Sequence, residues 1–173
     1  MTEQEAPENR YQYHIYHWRN GETGVIYKLL HPKITKLVAE IYKHGYQLGF
    51  TDGYIVDFDF ASKTFVANTK TIGCTHYNER FIVISTKVLK GLPLWSRRWW
   101  KLNSLVHELA HVVHYEQNKE FVDSFLHVGS ASLLYSLQEW QHNKQFKAIY
   151  TRLCSRFGVR IDERYACTEV GNP

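Results

Sequence analysis

Paired cysteines are missing from this chain of 173 residues. Its three, Cys74, Cys154 and Cys167, stand apart, are odd in number and include no CxxC pair. A disulfide framework and a zinc ribbon are therefore not indicated, and a reducing, intracellular setting is the simpler expectation. Missing too is any apolar run of membrane-spanning length. The first ten residues are polar and acidic, with no apolar stretch behind a basic start. The reading is of a cytoplasmic protein, neither secreted nor inserted in a membrane. Neither an internal repeat nor a low-complexity linker breaks the chain. A flexible tail over 1–10 followed by one domain over 11–173 is expected. No strong excess of one charge exists either: 21 Lys+Arg against 17 Asp+Glu leave +4. That balance permits an acidic partner without requiring one.

What remains is the composition of an ordinary folded domain, 44% hydrophobic and 22% charged, long enough to bury a core. The elements read as α+β. A helix is expected from about Pro32 to Gln47, with proline in its first turn and Gly49 past its end. Ile34, Leu37, Val38 and Ile41 fall on one face of it. The aromatic stretch Tyr11–Trp18 reads as a short strand or packing arm. Alternation over 53–60 and, more weakly, 64–68 predicts strands. Thr71–His76 and Phe81–Ser85 flank Tyr77-Asn78-Glu79-Arg80 as a hairpin. Helices are then expected over about 96–117, 120–140 and 144–157. Asn143 is the N-cap of the last and Gly158 its stop. The order helix, small sheet, then helices is an α+β arrangement.

The chemistry gathers at His107-Glu108-Leu109-Ala110-His111. On a helix, residues four apart stand one turn apart on the same face, so the two imidazoles can grip one zinc ion from two sides. Glu108 lies about 100° around the helix. From there its carboxylate approaches the open side of the ion and can take a proton from a water that the metal has acidified. Chance would place this pattern roughly 0.04 times in a chain of this composition. The flanking Leu105, Val106, Leu109, Ala110, Val112 and Val113 are apolar, and a buried helix does not hold two histidines and a glutamate without a partner.

A catalytic zinc takes three protein ligands and keeps one position open. A metzincin would need glycine at position 114 and histidine at 117, where this chain has His114 and Gln117. By residue type alone, His142, His127, His114 and Glu139 stay open as the third ligand. His114, one turn beyond His111, reads as a solvated or hydrogen-bonded neighbour.

From about Ile34 to Gly158 the chain resembles the SprT-like (Spartan-type) zinc metallopeptidases. The residues that carry the likeness are Ile72-Gly73-Cys74-Thr75-His76-Tyr77 and Phe81-Ile82-Val83-Ile84-Ser85 in the sheet, and Leu105 to His111 in the active helix. His142-Asn143-Lys144-Gln145-Phe146-Lys147 stands in the place of the family's later motif, and the helix after it carries Tyr150, Arg152 and Leu153. The resemblance implies a zincin-like fold and one zinc held by His107, His111 and His142, with His127 the runner-up. It also implies Glu108 as the catalytic base and protein substrates, among them proteins bound or crosslinked to DNA.

Between Lys87 and Lys101 there are five basic residues (Lys87, Lys90, Arg97, Arg98, Lys101), no acidic one, and the interleaved Trp95, Trp99 and Trp100. Cations among flat rings suit single-stranded nucleic acid. The plainer reading is a helix with core tryptophans and a solvated basic face. Two functions follow as expectations. One is a zinc endopeptidase; the other is a zinc-containing module that binds nucleic acid or protein without catalysis. Glu108 in the base position favours the first.

Overall fold

The computed structural model describes residues 14–16, 32–59, 64–126 and 140–167. Among them are five α-helices and six strands: β1 (His14–Tyr16), α1 (Pro32–Lys43), β2 (Gln47–Thr51), β3 (Ile55–Asp59), β4 (Thr64–Asn68), β5 (Gly73–His76), β6 (Phe81–Ser85), α2 (Thr86–Gly91), α3 (Leu94–Gln117), α4 (Lys119–Leu126) and α5 (Lys144–Phe157). The expected tail over 1–10, and the third-ligand candidates His127 and Glu139, lie outside the described residues. No helix among those described is long and apolar enough to cross a membrane.

Helix α1 buries Ile34, Leu37, Val38 and Ile41, the stripe read from its spacing. It ends four residues earlier than expected. Gly45 adopts φ +75°, its N–H donates to the Tyr42 carbonyl at 2.9 Å, and Tyr46 N–H reaches back to the Ile41 carbonyl at 3.3 Å. This pair of bonds closes the helix around a left-handed glycine and carries Tyr46 into the same core as Ile41. Gly49, taken from the sequence as the residue beyond the helix, instead lies inside β2. A Cβ there would meet the Phe81 ring at 2.5 Å, so the strand needs glycine for close approach rather than for a turn.

The main sheet has the order β1-β2-β6-β5. β1 runs antiparallel to β2, β2 parallel to β6, and β5 antiparallel to β6. The β3–β4 hairpin forms a separate two-stranded sheet within the β2-to-β6 crossover. The expected β5–β6 hairpin is present, with Cys74 opposite Val83 and Thr75 opposite Ile82. β6 is buried along its whole length. Ile82 and Ile84 face the helices, while Phe81 and Val83 face Ile55, the alternation that a strand between two packed layers requires.

On the helical side, Leu105, Val106, Leu109, Ala110 and Val112 of α3 join Phe146, Ile149, Tyr150 and Leu153 of α5 and the α1 stripe in one core. Truncating a leucine buried as completely as Leu105 or Leu109 costs about 2–5 kcal/mol. α5 has the bounds expected of it. The Asn143 side chain accepts the Phe146 N–H, and Gly158 takes the left-handed conformation at φ 59°. α3 begins at Leu94 rather than 96. Only Lys119–Leu126 of the helix expected over 120–140 falls within the described part as α4; residues 127–139 do not.

Candidate metal centre

α3 and the N-terminal end of α5 build the site together. His107 and His111 project from the same face of α3, and His142 immediately precedes the Asn143 cap. The cap therefore sets where the His142 backbone enters α5. Nε2 of His107 lies 3.1 Å from Nε2 of His111 and 3.2 Å from Nε2 of His142. One coordinating atom from each histidine falls within 4.8 Å of the other two. Tetrahedral bonds of 2.0–2.1 Å place imidazole nitrogens about 3.3 Å apart. A proton can link two such nitrogens, but His107 Nε2 faces both of its neighbours at once. A cation at the point of convergence satisfies all three lone pairs.

Burial keeps these imidazoles neutral, as ligands must be. Desolvation first, then the neighbouring His142, pushes the His107 pKa down to about 3. Burial lowers His111 far below its ordinary range and His142 in the same direction. Phe146, fully buried, packs on all three rings at centroid distances of 5.1, 4.5 and 4.9 Å. The Tyr77 hydroxyl lies 3.5 Å from His111 Nδ1. The three histidines thus stand close enough to hold a metal ion, and an all-imidazole donor set suits Zn, Cu, Fe or Ni.

Glu108 is only 4% exposed, and it lines a cleft of about 520 Å³ together with His107, His111 and His142. The Thr75 hydroxyl donates to its Oε2 at 2.7 Å. A Cβ on Gly73 would stand 2.6 Å from its Oε1, so β5 and the carboxylate touch backbone to side chain. Desolvation pushes the Glu108 pKa up to about 7, against the lowering effect of the Thr75 hydrogen bond. A divalent cation beside it would draw the value down again.

His114 differs from its expected place. It is 0% exposed rather than solvated, it stacks on Trp140 at 4.1 Å, and among the described residues neither ring nitrogen has a partner at ordinary hydrogen-bond geometry, although the Gln145 side chain bears on it. Burial pushes its pKa down to about 4, and it does not line the cleft.

The basic stretch divides. Arg97 donates through Nε to the Leu92 carbonyl at 2.8 Å and through its terminal nitrogen to that of Lys90, so it closes the end of α2. Trp100 packs against the core and lines the cleft, and Trp99 donates to the Arg160 carbonyl at 3.3 Å. Lys87, Lys90 and Arg98 are exposed, Lys101 partly so, and Trp95 is 86% exposed.

Sequence reasoning missed Gly73 and Thr75 as partners of Glu108. Their i, i+2 spacing puts both on one face of β5 but does not point to Glu108. It also missed Asp162, Arg164 and Tyr165, which reach the cleft from a 3-10 turn (Glu163–Tyr165) after α5. Nothing local in the sequence marks them.

No protein-family model, no curated protein and no solved structure matches this chain.

Proposed function

We propose that the chain is a zinc-dependent endopeptidase with a zincin-like arrangement of the SprT-like kind. The observation that carries this reading is a buried carboxylate, Glu108, lining the same cleft as three converging imidazoles. A structural zinc is closed by a fourth protein ligand. Among the described residues no further His, Cys, Asp or Glu joins the three. The order of α1, the sheet, the histidine-bearing α3 and the His142 segment before α5 supports the likeness to that family.

Zinc held by His107, His111 and His142 supplies Lewis acidity and acidifies water. The remaining work falls to the chain. Glu108, fixed by Thr75, takes the proton of the attacking water as its oxygen adds to the scissile carbonyl. It then returns that proton to the amine nitrogen as the C–N bond breaks. β5 is an edge strand of its sheet among the described residues, and its Gly73, Cys74 and Thr75 line the cleft. An extended polypeptide laid along that edge would pair with it through main-chain hydrogen bonds, with side chains alternating into the cleft. This supports protein rather than small-molecule substrates. The exposed Trp95, Lys87, Lys90 and Arg98 support a preference for proteins bound to or crosslinked with DNA.

The test is zinc content together with casein cleavage, with and without single-stranded DNA, for the wild type and Glu108→Gln. Near-stoichiometric zinc in both, with cleavage by the wild type alone, is the expected result. Wild-type protein that takes up no zinc when metal is added overturns the reading.

A further inference from the structure

A second polar group reaches the cleft from outside the HExxH helix. Tyr165 sits in the 3-10 turn after α5, and its ring packs on His107 at 4.4 Å and on His142 at 5.1 Å between centroids. Its hydroxyl makes no hydrogen bond among the described residues, and it lines the cleft with Glu108. The segment that carries it is tied down on both sides. Asn103 Nδ2 donates to the Arg160 carbonyl at 3.1 Å and to the Tyr150 hydroxyl at 2.7 Å. The Tyr150 hydroxyl also receives the Asp162 N–H at 2.9 Å. After the turn, Cys167 N–H donates to Thr151 Oγ1 at 3.3 Å. The Arg164 guanidinium, which also lines the cleft, is forked onto Asp162 and lies over the Trp100 and Tyr165 rings. A phenol whose O–H has no partner among the described residues, carried by a turn anchored through these bonds beside two histidines of the cluster, is a donor whose orienting cost is largely met by folding.

We propose that Tyr165 is a catalytic residue whose phenol O–H donates a hydrogen bond to the scissile carbonyl oxygen as that oxygen becomes negative. The inference rests on the peptidase reading. As water adds to the carbonyl carbon, the π pair moves to oxygen while Glu108 holds the water proton. Tyr165 keeps its own proton and contributes the hydrogen bond alone. When the C–N bond breaks, the pair returns, the carbonyl re-forms, and Glu108 protonates the nitrogen.

Tyr165→Phe keeps the ring on both histidines and removes only the hydroxyl. Four readouts decide the matter: zinc affinity by competition with a chelator, the visible spectrum of the cobalt-loaded protein, kcat and KM on a peptide, and the affinity of the zinc-loaded protein for a phosphinic peptide. The phosphinic oxygens stand in for those of the tetrahedral species. The expected outcome is unchanged zinc affinity, KM within about threefold, and kcat and phosphinic affinity lowered together, by up to about 100-fold. Unchanged phosphinic affinity overturns the proposal. So does a loss of zinc affinity, or an altered visible spectrum of the cobalt-loaded protein, because the phenol is then a metal ligand. Wild-type protein that binds zinc yet cleaves nothing refutes the peptidase reading instead, and the phosphinic titration still decides whether the hydroxyl contacts a tetrahedral oxyanion.

Discussion

Thr75 Oγ1 lies 2.7 Å from Glu108 Oε2, and it ties an edge strand to the carboxylate between the two helical histidines. Carboxylate and strand thus form one unit, since glycine two residues earlier is what lets them approach. The hydroxyl favours the ionised carboxylate, the form that accepts a proton.

On the proposed peptidase reading, Thr75→Val is expected to lower kcat by roughly tenfold, less than the about 10²–10⁴-fold that a general acid–base group contributes as a whole because the carboxylate itself remains, with zinc retained. Thr75→Ser restores most of the rate. Gly73→Ala acts more severely, because its Cβ meets three atoms of Glu108 at 2.6–3.0 Å. Steady-state kinetics with metal analysis on the three variants checks this. Loss of zinc alongside loss of rate would mean that β5 supports the histidines rather than the base.

On the proposed ligand set, removing His142 leaves two imidazoles, so His142→Ala is expected to lose stoichiometric zinc, and His107→Ala and His111→Ala are expected to do the same. Metal that binds only the native state stabilises it by about 2.7 kcal/mol at a hundredfold excess over Kd. Adding zinc should raise the wild-type melting temperature and leave the three variants where they are. A zinc-dependent rise in His142→Ala would place the third ligand elsewhere, with His127 the next residue to change.

The Asn143 cap links helix stability to the same site. Asn143→Ala removes the acceptor of the Phe146 N–H at 2.9 Å and is expected to cost about 1 kcal/mol. Because His142 adjoins the cap, zinc affinity should fall as well, whereas Asn143→Asp keeps both. Thermal denaturation and a zinc titration separate the two effects.

How far the site was legible follows from range. α5 could be read between its cap and its left-handed glycine because both signals are local, and the same holds for the i, i+4 histidines of α3. β2 was misread because glycine is ambiguous: Gly45 ends a helix, while Gly49 makes room for a ring from β6. That ring is 32 positions away in sequence, and no periodicity reports it. Gly73, Thr75 and Tyr165 acquire meaning only from what faces them across the cleft, and Arg97 looked like one of a row of cations until its carbonyl partners were seen.

Asp162 carries a pH signature. The hydrogen bonds from Arg164 hold its carboxyl below the usual 3.8 against the opposing effect of burial. A depressed folded-state pKa contributes stability above the unfolded value and loses it as pH falls through the folded one. Asp162→Asn should therefore be less stable than wild type at pH 5–7, by about 1 kcal/mol or less for a pair whose arginine is exposed. The gap should narrow below about pH 4. Urea titrations across that range test it, and a gap that widens on acidification would contradict the assigned cause.

The basic stretch yields a prediction that separates surface from scaffold. Trp95 and Arg98 are exposed on α3, while Arg97 is engaged with the Lys90 and Leu92 carbonyls. If single-stranded DNA binds here, Trp95→Ala should cost about 1–3 kcal/mol of binding through lost stacking. Arg98→Ala should flatten the salt dependence by about one phosphate contact. Arg97→Ala should instead lower the unfolding free energy by about 1 kcal/mol or more, since two carbonyls lose a charged donor, with little change in the salt slope. Fluorescence anisotropy over a salt series, paired with denaturation, distinguishes the three. Equal DNA affinity in wild type and the Trp95→Ala, Arg98→Ala double variant would remove nucleic acid from this face of the molecule.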